Sequence, residues 1–205
     1  MAPDETQAPT VEELQARIKT LEAENRRWMR LAGTNRLTDL PNSLMLYEVV
    51  LPAELRKVDE RGAEVACILL SPDDVGEVNK THGRAVGDEL ILQIAEFLKE
   101  RMVPDERLYH PDGVNFAILL SEADEGRARR RATAVRTEIK EATFTLENRE
   151  LEELTCSAGI GTIEGAVVQQ EIPAIIERLY QQLSDRLYRA KQRGGNTVVG
   201  SERSL

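Results

Sequence analysis

The chain has 205 residues, of which 41% are hydrophobic, 31% charged and 4% aromatic, so we expect one full-sized domain with an aliphatic core rather than a disordered chain. The formal net charge of -9 disfavours binding to a nucleic-acid backbone. The sequence has neither an apolar run of about 18 residues nor a secretory signal, and we therefore expect a cytoplasmic protein without a membrane span.

Cysteine and histidine are scarce and scattered. Cys67 and Cys156 lie inside apolar stretches, and His82 and His110 are far apart in sequence. Free cysteine packs as a small hydrophobic residue, so both thiols are predicted to be buried. Neither a zinc site nor a Cys/His nucleophile pair is expected, and the sequence predicts no cofactor.

The predicted elements begin, after a disordered tip at residues 1–10, with a coiled-coil helix at residues 11–33. Its apolar positions are spaced alternately by three and four, which is the heptad pattern of a helix that packs along one seam. A polar Asn25 in that seam favours two strands, so we predict homodimerisation. The alternative is a helix folded back on its own domain. The seam contains Val11, Leu14, Ile18, Leu21, Asn25, Trp28 and Ala32.

The remaining chain predicts a domain of alternating helices and strands at residues 34–200, followed by a tail at 201–205. Apolar periodicity and turn residues indicate an α+β fold with a mixed or antiparallel sheet. Pro52 is expected to kink or split the first helix. The predicted helices are Ser43–Arg61, Asp73–Lys80, Gly87–Arg101, Glu125–Ala142 and Ile172–Arg193. The predicted strands are Glu64–Leu70, Arg107–His110, Asn115–Leu120, Thr143–Leu146, Glu153–Thr162 and Thr197–Val199.

The predicted helix Glu125–Ala142 carries a run of basic residues. Such a run is either a solvated face or a surface for an anionic partner, and the sequence leaves both interpretations open. The basic residues are Arg127, Arg129, Arg130, Arg131, Arg136 and Lys140.

Four short strings, in a fixed order, carry a family resemblance. They are Leu37-Thr38-Asp39-Leu40-Pro41-Asn42, Asn79-Lys80-Thr81-His82-Gly83 with Gly87-Asp88, Ser157-Ala158-Gly159-Ile160-Gly161, and Leu187-Tyr188-Arg189-Ala190-Lys191 with Gly194 and Asn196. Together they resemble the GGDEF family, the diguanylate cyclases that join two GTP molecules into cyclic di-GMP. The resemblance covers residues 35–199. It implies a nucleotide-cyclase palm-like central sheet flanked by helices, and an active site assembled from two protomers.

The resemblance also implies a cage of carboxylates that binds two divalent metal ions. This sequence lacks the acidic residues at three positions of that cage. Counting back from Asn79 places Ser71 where the family has an aspartate. The signature hairpin, anchored on Phe116, has Val114 and Asn115 at the family's two acidic positions. A hydroxyl without fixed charge is a poor ligand for a hard metal. We therefore interpret the domain as degenerate, with no catalytic residues, no metal and no enzymatic activity.

The ligand-binding positions implied by the resemblance are only partly kept. Gly76 and Gly195 stand where the family has a lysine and an arginine, so Lys191 is the only remaining phosphate-binding candidate. Asn79 and Asp88 keep the two guanine-binding positions. The alternative is structural, since an asparagine can cap a helix end and an aspartate can accept backbone amides at a helix start.

The family's product-inhibition motif, RxxD, is not present at the corresponding positions. Counting back from Phe116 gives Val103 and Glu106. Arg101 and Asp105 approximate the motif with a spacing one residue too wide, so cyclic di-GMP binding there is disfavoured.

Three functional hypotheses follow. The first is a catalytically inactive, dimeric regulatory or protein-interaction module in bacterial signalling, with a protein partner that the sequence does not identify. The second is a sensor that binds GTP or cyclic di-GMP, with weak GTP binding. The third and least favoured is an active diguanylate cyclase. None of the three has a nucleic-acid or membrane partner.

Overall fold

A computed structural model describes residues 10–61, 64–146, 149–151, 153–163 and 171–201. The predicted disordered tip and tail lie, apart from Thr10 and Ser201, outside the described residues.

The described residues form six α-helices, one π-helical segment and seven strands. The helices are α1 (Val11–Ala32), α2 (Leu51–Arg61), α3 (Val75–His82), α4 (Arg84–Lys99), α5 (Glu125–Glu141) and α6 (Ile172–Gln192), with the π-helical segment at Leu44–Val50. The strands are β1 (Val65–Pro72), β2 (Glu106–Asp112), β3 (Asn115–Ser121), β4 (Phe144–Leu146), β5 (Arg149–Leu151), β6 (Cys156–Ile163) and β7 (Val198–Val199).

Helix α1 begins with a capping box. The Thr10 side chain accepts a hydrogen bond from the Glu13 amide, and the Glu13 carboxylate accepts one from the Thr10 amide. At its other end, the Asn42 carboxamide nitrogen donates to the Ala32 carbonyl over 2.7 Å. The Asn42 oxygen accepts from the amides of Leu44 and Met45, so Asn42 caps the following helical segment.

Pro52 does not split the predicted helix. Residues 44–50 are π-helical and lead directly into α2, with the Leu51 amide donating to the Leu46 carbonyl. Pro52 is the second residue of α2, at the junction between two hydrogen-bonding patterns, where a missing N–H is tolerated. The helix therefore continues through Pro52, and the hydrogen-bonding pattern changes from π-helical to α-helical just before it.

The central sheet has five strands in the order β2-β3-β1-β6-β7. The first three pairings are antiparallel, and β6 pairs with β7 in parallel, so the sheet is mixed. Strand β1 lies in the middle, with Ser71 opposite Ser157 and Pro72 opposite Cys156. Strands β4 and β5 form a separate hairpin.

Helices cover both faces of the sheet. Alternate residues of β1 point to opposite faces, so Ala66, Ile68 and Leu70 join a cluster with α3, α4 and α5. Cys67 and Leu69 join a second cluster with α2 and α6. This arrangement confirms the predicted α+β fold with a central sheet flanked by helices.

The cysteines are buried and unpaired, as predicted. Burial raises the pKa of both thiols to about 12, so both are protonated at neutral pH. No helix among the described residues is long and apolar enough to cross a membrane.

Candidate functional site

The carboxyl end of β1 contains Ser71, which is fully buried. The Lys191 ammonium, in the last turn of α6, donates to the Ser71 hydroxyl oxygen over 2.8 Å and lies 3.5 Å from the Pro72 carbonyl oxygen. The structure therefore brings together two of the sequence-predicted site residues that are 120 positions apart.

The β2–β3 hairpin lies beside β1, because β3 pairs with β1. Its turn uses Gly113 at φ 50°, a left-handed conformation that favours glycine. Val114 packs against the core, and the Asn115 carboxamide nitrogen donates to the Asp112 carboxylate over 2.8 Å. The Asn115 side chain is therefore engaged within its own hairpin.

These side chains do not fit the divalent metal ions that the family resemblance implies. Magnesium is usually held by one or two protein carboxylates together with waters and substrate phosphate oxygens. Here the Ser71 oxygen already accepts from an ammonium, Val114 has no ligand atom, and Asn115 is bonded to Asp112. Across the described ranges, no group of three or more His, Cys, Asp or Glu side chains is placed to hold a metal ion.

Asp73 is a residue of this site that the sequence analysis missed. It is buried, and one carboxylate oxygen accepts from the Thr155 hydroxyl and from the Asn196 amide. The other oxygen accepts from the Ser157 hydroxyl over 2.9 Å. Asp73 thus joins the end of β1 to β6 and to the segment before β7. The aspartate at a strand end was visible in the sequence, but its partners were not.

The two guanine-binding candidates come together where α3 meets α4. The Asn79 carboxamide oxygen is buried and has no hydrogen-bond partner among the described residues. A Cβ atom on Gly87 would lie 1.9 Å from that oxygen, so only glycine at position 87 makes room for the Asn79 side chain. Asp88, the next residue, is exposed.

The two glycines at the family's other phosphate-binding positions differ in their surroundings. Gly76 is on α3, and a Cβ added there would have no atom within 4 Å, whereas a Cβ on Gly195 would lie 3.0 Å from the Asp73 carboxylate. Gly195 also has φ 74°, which a residue with a side chain rarely adopts. A side chain at position 195 would therefore strain the backbone and make a tight contact with the Asp73 carboxylate.

The positions that approximate the product-inhibition motif are engaged elsewhere. The Arg101 guanidinium lies 3.5 Å from the centre of the Phe97 ring and donates to the Phe97 carbonyl, while Asp105 pairs with Arg127. The Glu106 carboxylate is buried and accepts from Arg131 over 2.7 Å. Val103 is exposed. None of these four side chains forms an open Arg/Asp clamp.

His110 is a second residue that the sequence analysis did not assign to the site. Its Nε2 lies 2.9 Å from the Gly113 carbonyl oxygen, and its Nδ1 lies 2.9 Å from the Thr38 hydroxyl. A carbonyl only accepts, so Nε2 carries the proton and Nδ1 accepts from Thr38. Burial lowers the pKa of His110, which keeps the ring neutral at pH 7. His110 thereby connects the hairpin turn to the loop that follows α1.

The basic residues of α5 are largely paired within the molecule. Five of the six contact an oxygen of another residue, and the Arg131 side chain is only 15% exposed. Ion pairs with carboxylates offset the charge of four of these residues, whereas Arg136 donates to a neutral asparagine. The pairs are Arg127 with Asp105, Arg129 with Glu125, Arg131 with Glu106, Arg136 with Asn196, and Lys140 with Glu153.

The sequence profile described as "Diguanylate cyclase, GGDEF domain" matches residues 32–197. The chain belongs to the GGDEF family. Diguanylate cyclase DosC of Escherichia coli (strain K12) is 26% identical over 166 residues, which are 81% of this chain and 34% of DosC. The chain thus spans about a third of the length of this curated relative.

Solved GGDEF structures share the fold. The coiled coil and GGDEF domain of DgcB from Caulobacter crescentus, in complex with c-di-GMP, superposes with a TM-score of 0.74 at 20% identity, covering 93% of this chain and 97% of that one. Diguanylate cyclase SiaD of Pseudomonas aeruginosa, in complex with its activator SiaC, gives a TM-score of 0.71 at 21% identity, covering 93% and 70%.

One prediction from the sequence is wrong in the light of these comparisons. We expected a chain that is not an enzyme, because the family's acidic positions hold Ser71, Val114 and Asn115. The family profile and the curated relative both describe diguanylate cyclases, so the chain belongs to an enzyme family. The recognition of the GGDEF family itself is confirmed.

Proposed function

We propose that this chain is a dimeric regulatory module of the GGDEF family, in which α1 joins two copies and the dimer presents a surface to a protein partner. The observation that carries the proposal is the exposed apolar seam of α1. Val11 is 70% exposed and Trp28 67%, and Leu14, Ile18 and Leu21 are exposed as well. This pattern opposes the alternative in which the helix folds back on its own domain.

A partner helix is the simplest way to cover this seam. Most of the stability of a helix in a protein comes from packing of its apolar face, and burying apolar surface is the main source of stability for a coiled coil. The DgcB structure includes a coiled coil beside a GGDEF domain, and SiaD is bound to an activator protein, so both features have precedents on this fold. The proposal concerns assembly and does not depend on GTP turnover.

The test is the mass of the full chain in solution, measured by analytical ultracentrifugation at micromolar concentration. We expect a dimer for the wild type and a monomer for the double variant Ile18→Asp with Leu21→Asp, because two buried charges in the seam are costly. The matched control is Ala16→Asp with Ala23→Asp, which puts the same charges on the opposite side of α1 and is expected to remain dimeric. A monomeric wild type, or a dimeric seam variant, would contradict the proposal.

A second candidate function is the binding of a guanine nucleotide, and the Asn79 side chain favours it. A buried acceptor without a donor costs roughly 1–3 kcal/mol. The Watson–Crick edge of guanine carries N–H groups that donate hydrogen bonds. An amide oxygen and a carboxylate can each accept such a bond. Asn79 and the adjacent exposed Asp88 supply one of each. This recognition requires the Asn79 side chain to rotate out of its contact with Gly87.

Calorimetric titration with GTP tests the second candidate. We expect saturable binding that weakens at least tenfold in Asp88→Ala, since a charge-assisted hydrogen bond contributes about 1.5–3 kcal/mol. Glu89→Ala is the control, because it removes the neighbouring exposed carboxylate of the same helix. Equal binding by Asp88→Ala and Glu89→Ala would exclude this mode of guanine recognition.

A further inference from the structure

We propose that Trp28 of a second copy docks in a groove between α1 and the π-helical segment, so that α1 of each copy contacts the domain of the other. This inference rests on the dimer proposed above. It deepens that function by naming the surface of the domain that takes part in the dimer and the side chain that occupies it.

The groove lies where α1 meets the domain, and its volume is about 850 Å³. Its lining includes Asn25 and Met29 of α1, Pro41 of the following loop, and Met45 and Val49 of the π-helical segment. Four of these five side chains are apolar, so an apolar group that fills the groove removes apolar surface from water.

Hydrogen bonds and a close contact hold the end of α1 against the π-helical segment. The Asn42 amide donates to the Gly33 carbonyl over 2.8 Å, and the Asn42 carboxamide nitrogen donates to the Ala32 carbonyl. A Cβ atom on Gly33 would lie 2.6 Å from the Met45 side chain, so glycine permits the close approach of Met45 to the end of α1. The groove is therefore already formed within a single chain.

Trp28 is the side chain that reaches the groove from a second helix. It belongs to the apolar seam, it is 67% exposed, and it is the only tryptophan of the chain. In a parallel two-stranded coiled coil, each seam side chain enters a hole formed by four residues of the facing helix. For Trp28 these residues are Asn25, Trp28, Met29 and Ala32. Asn25 and Met29 also line the groove, so the hole opens into it.

The groove suits an indole in size and in chemistry. Leucine is a common residue at this type of seam position, and an indole is larger, so the hole alone would be crowded. The groove extends beyond the hole to Met45 and Val49 and supplies the missing space. Methionine makes favourable contacts with aromatic rings, and a buried indole N–H needs an acceptor. Oxygen atoms that can accept belong to Glu22, Asn25 and Thr34, which line the same groove.

Charges beside the seam favour the parallel direction that this docking requires. In a parallel, in-register pair, a g residue of one helix lies opposite the e residue five positions later on the other. With Ile18 as an a residue, Arg17 is a g residue and Glu22 is an e residue. Their opposite charges favour the parallel pair. In an antiparallel pair, Trp28 of the second copy would lie toward the amino-terminal end of α1, away from Met29.

The fluorescence emission of Trp28 tests the docking in the full chain, because no other tryptophan contributes to it. Analytical ultracentrifugation of the same samples identifies monomer and dimer. We expect the wild-type dimer to emit at a shorter wavelength than N-acetyltryptophanamide and to be protected from quenching by acrylamide. The monomeric variant Ile18→Asp with Leu21→Asp is expected to emit like N-acetyltryptophanamide, because Trp28 is exposed in the single chain.

Val49→Asn separates docking in the groove from burial in the seam. It places a polar group in the groove and leaves α1 unaltered, so we expect the Trp28 emission to shift to a longer wavelength. Loss of this contact is expected to raise the dissociation constant of the dimer by roughly tenfold. Glu48→Asn is the matched control, since Glu48 precedes Val49 on the same segment and lines a different groove. Circular dichroism checks the folding of both variants.

Cross-linking gives a second test that does not depend on weakening the dimer. Copies with Trp28→Cys and differently tagged copies with Val49→Cys are mixed and treated with a short bismaleimide. We expect a covalent heterodimer linked between positions 28 and 49, and none when Glu48→Cys replaces Val49→Cys. The native Cys67 and Cys156 are buried and do not compete for the reagent.

The possible results separate docking from dimerisation. A wild-type dimer whose Trp28 emits like N-acetyltryptophanamide would overturn this inference and leave the dimer intact. Equal emission by dimeric Val49→Asn and Glu48→Asn, without the cross-link between positions 28 and 49, would do the same, because Trp28 would then be buried by the seam alone. A monomeric wild type would overturn the proposed dimer as well.

Discussion

Replacing Gly159 by alanine is expected to lower the stability of the domain by roughly 3 kcal/mol. A Cβ atom at this position on β6 would lie 2.4 Å from the Leu183 carbonyl oxygen and 2.6 Å from the Leu187 amide nitrogen, both backbone atoms of α6. Backbone atoms cannot rotate away, so the whole helix would have to move outward by about 1 Å, opening the core between the sheet and α6. Thermal unfolding followed by circular dichroism measures the effect, with an expected decrease in Tm of about 6–12 °C.

Gly76→Ala is the matched control. Gly76 lies within α3, and no atom lies within 4 Å of its added Cβ. Alanine is favoured over glycine in a helix interior by about 0.5–1 kcal/mol, and Gly76 is in the first turn, so we expect the Tm of this variant to be equal to or slightly above that of the wild type. An unchanged Tm for Gly159→Ala would mean that α6 does not approach β6 as closely as the structure shows.

Most of the secondary structure could be predicted from the sequence because local patterns determine it. The apolar run before Ser71 has the composition of a buried strand, and the spacing of Leu179, Leu183 and Leu187 has the period of a helix. The structure has elements at all of these places, with ends that differ from the predicted ones by at most three residues. The hairpin turn lies at Gly113, where glycine supplies the left-handed conformation that the turn uses.

The contacts that build the site could not be predicted, because they join distant parts of the chain. The bond from Lys191 to Ser71 depends on how α6 lies across β1 and β6, which neither segment reveals alone. The contacts of the basic residues on α5 could not be predicted for the same reason. Their sequence pattern indicated an exposed face, yet the Arg131 side chain donates to the buried Glu106 carboxylate on β2.

The family resemblance predicted more of the candidate site than the apolar periodicity did, but it also led to one wrong prediction. It placed Asn79 and Asp88 together, and the structure shows Gly87 packed directly over the Asn79 carboxamide. The same resemblance led from three substituted positions to the conclusion that the chain is not an enzyme. Substitutions at single positions describe local chemistry, whereas membership of an enzyme family rests on the whole domain.

Asp73→Ala is the second variant with a large expected effect. It would leave two hydroxyl groups and the Asn196 amide without their acceptor in a buried region, and we expect a loss of roughly 3 kcal/mol. For a domain of this size that corresponds to a decrease in Tm of about 6–12 °C. Asp185→Ala is the control, because it removes an exposed carboxylate from α6, and its Tm is expected to change by less than about 1 °C.

Asp73→Asn separates hydrogen bonding from charge. The carboxamide oxygen can still accept from the Asn196 amide and the Thr155 hydroxyl, while its nitrogen can donate to the Ser157 hydroxyl, which turns from donor to acceptor. We therefore expect Asp73→Asn to lose less than half of the stability that Asp73→Ala loses. Equal losses in the two variants would show that the negative charge of Asp73, and not its acceptor geometry, stabilises the junction of β1, β6 and the segment before β7.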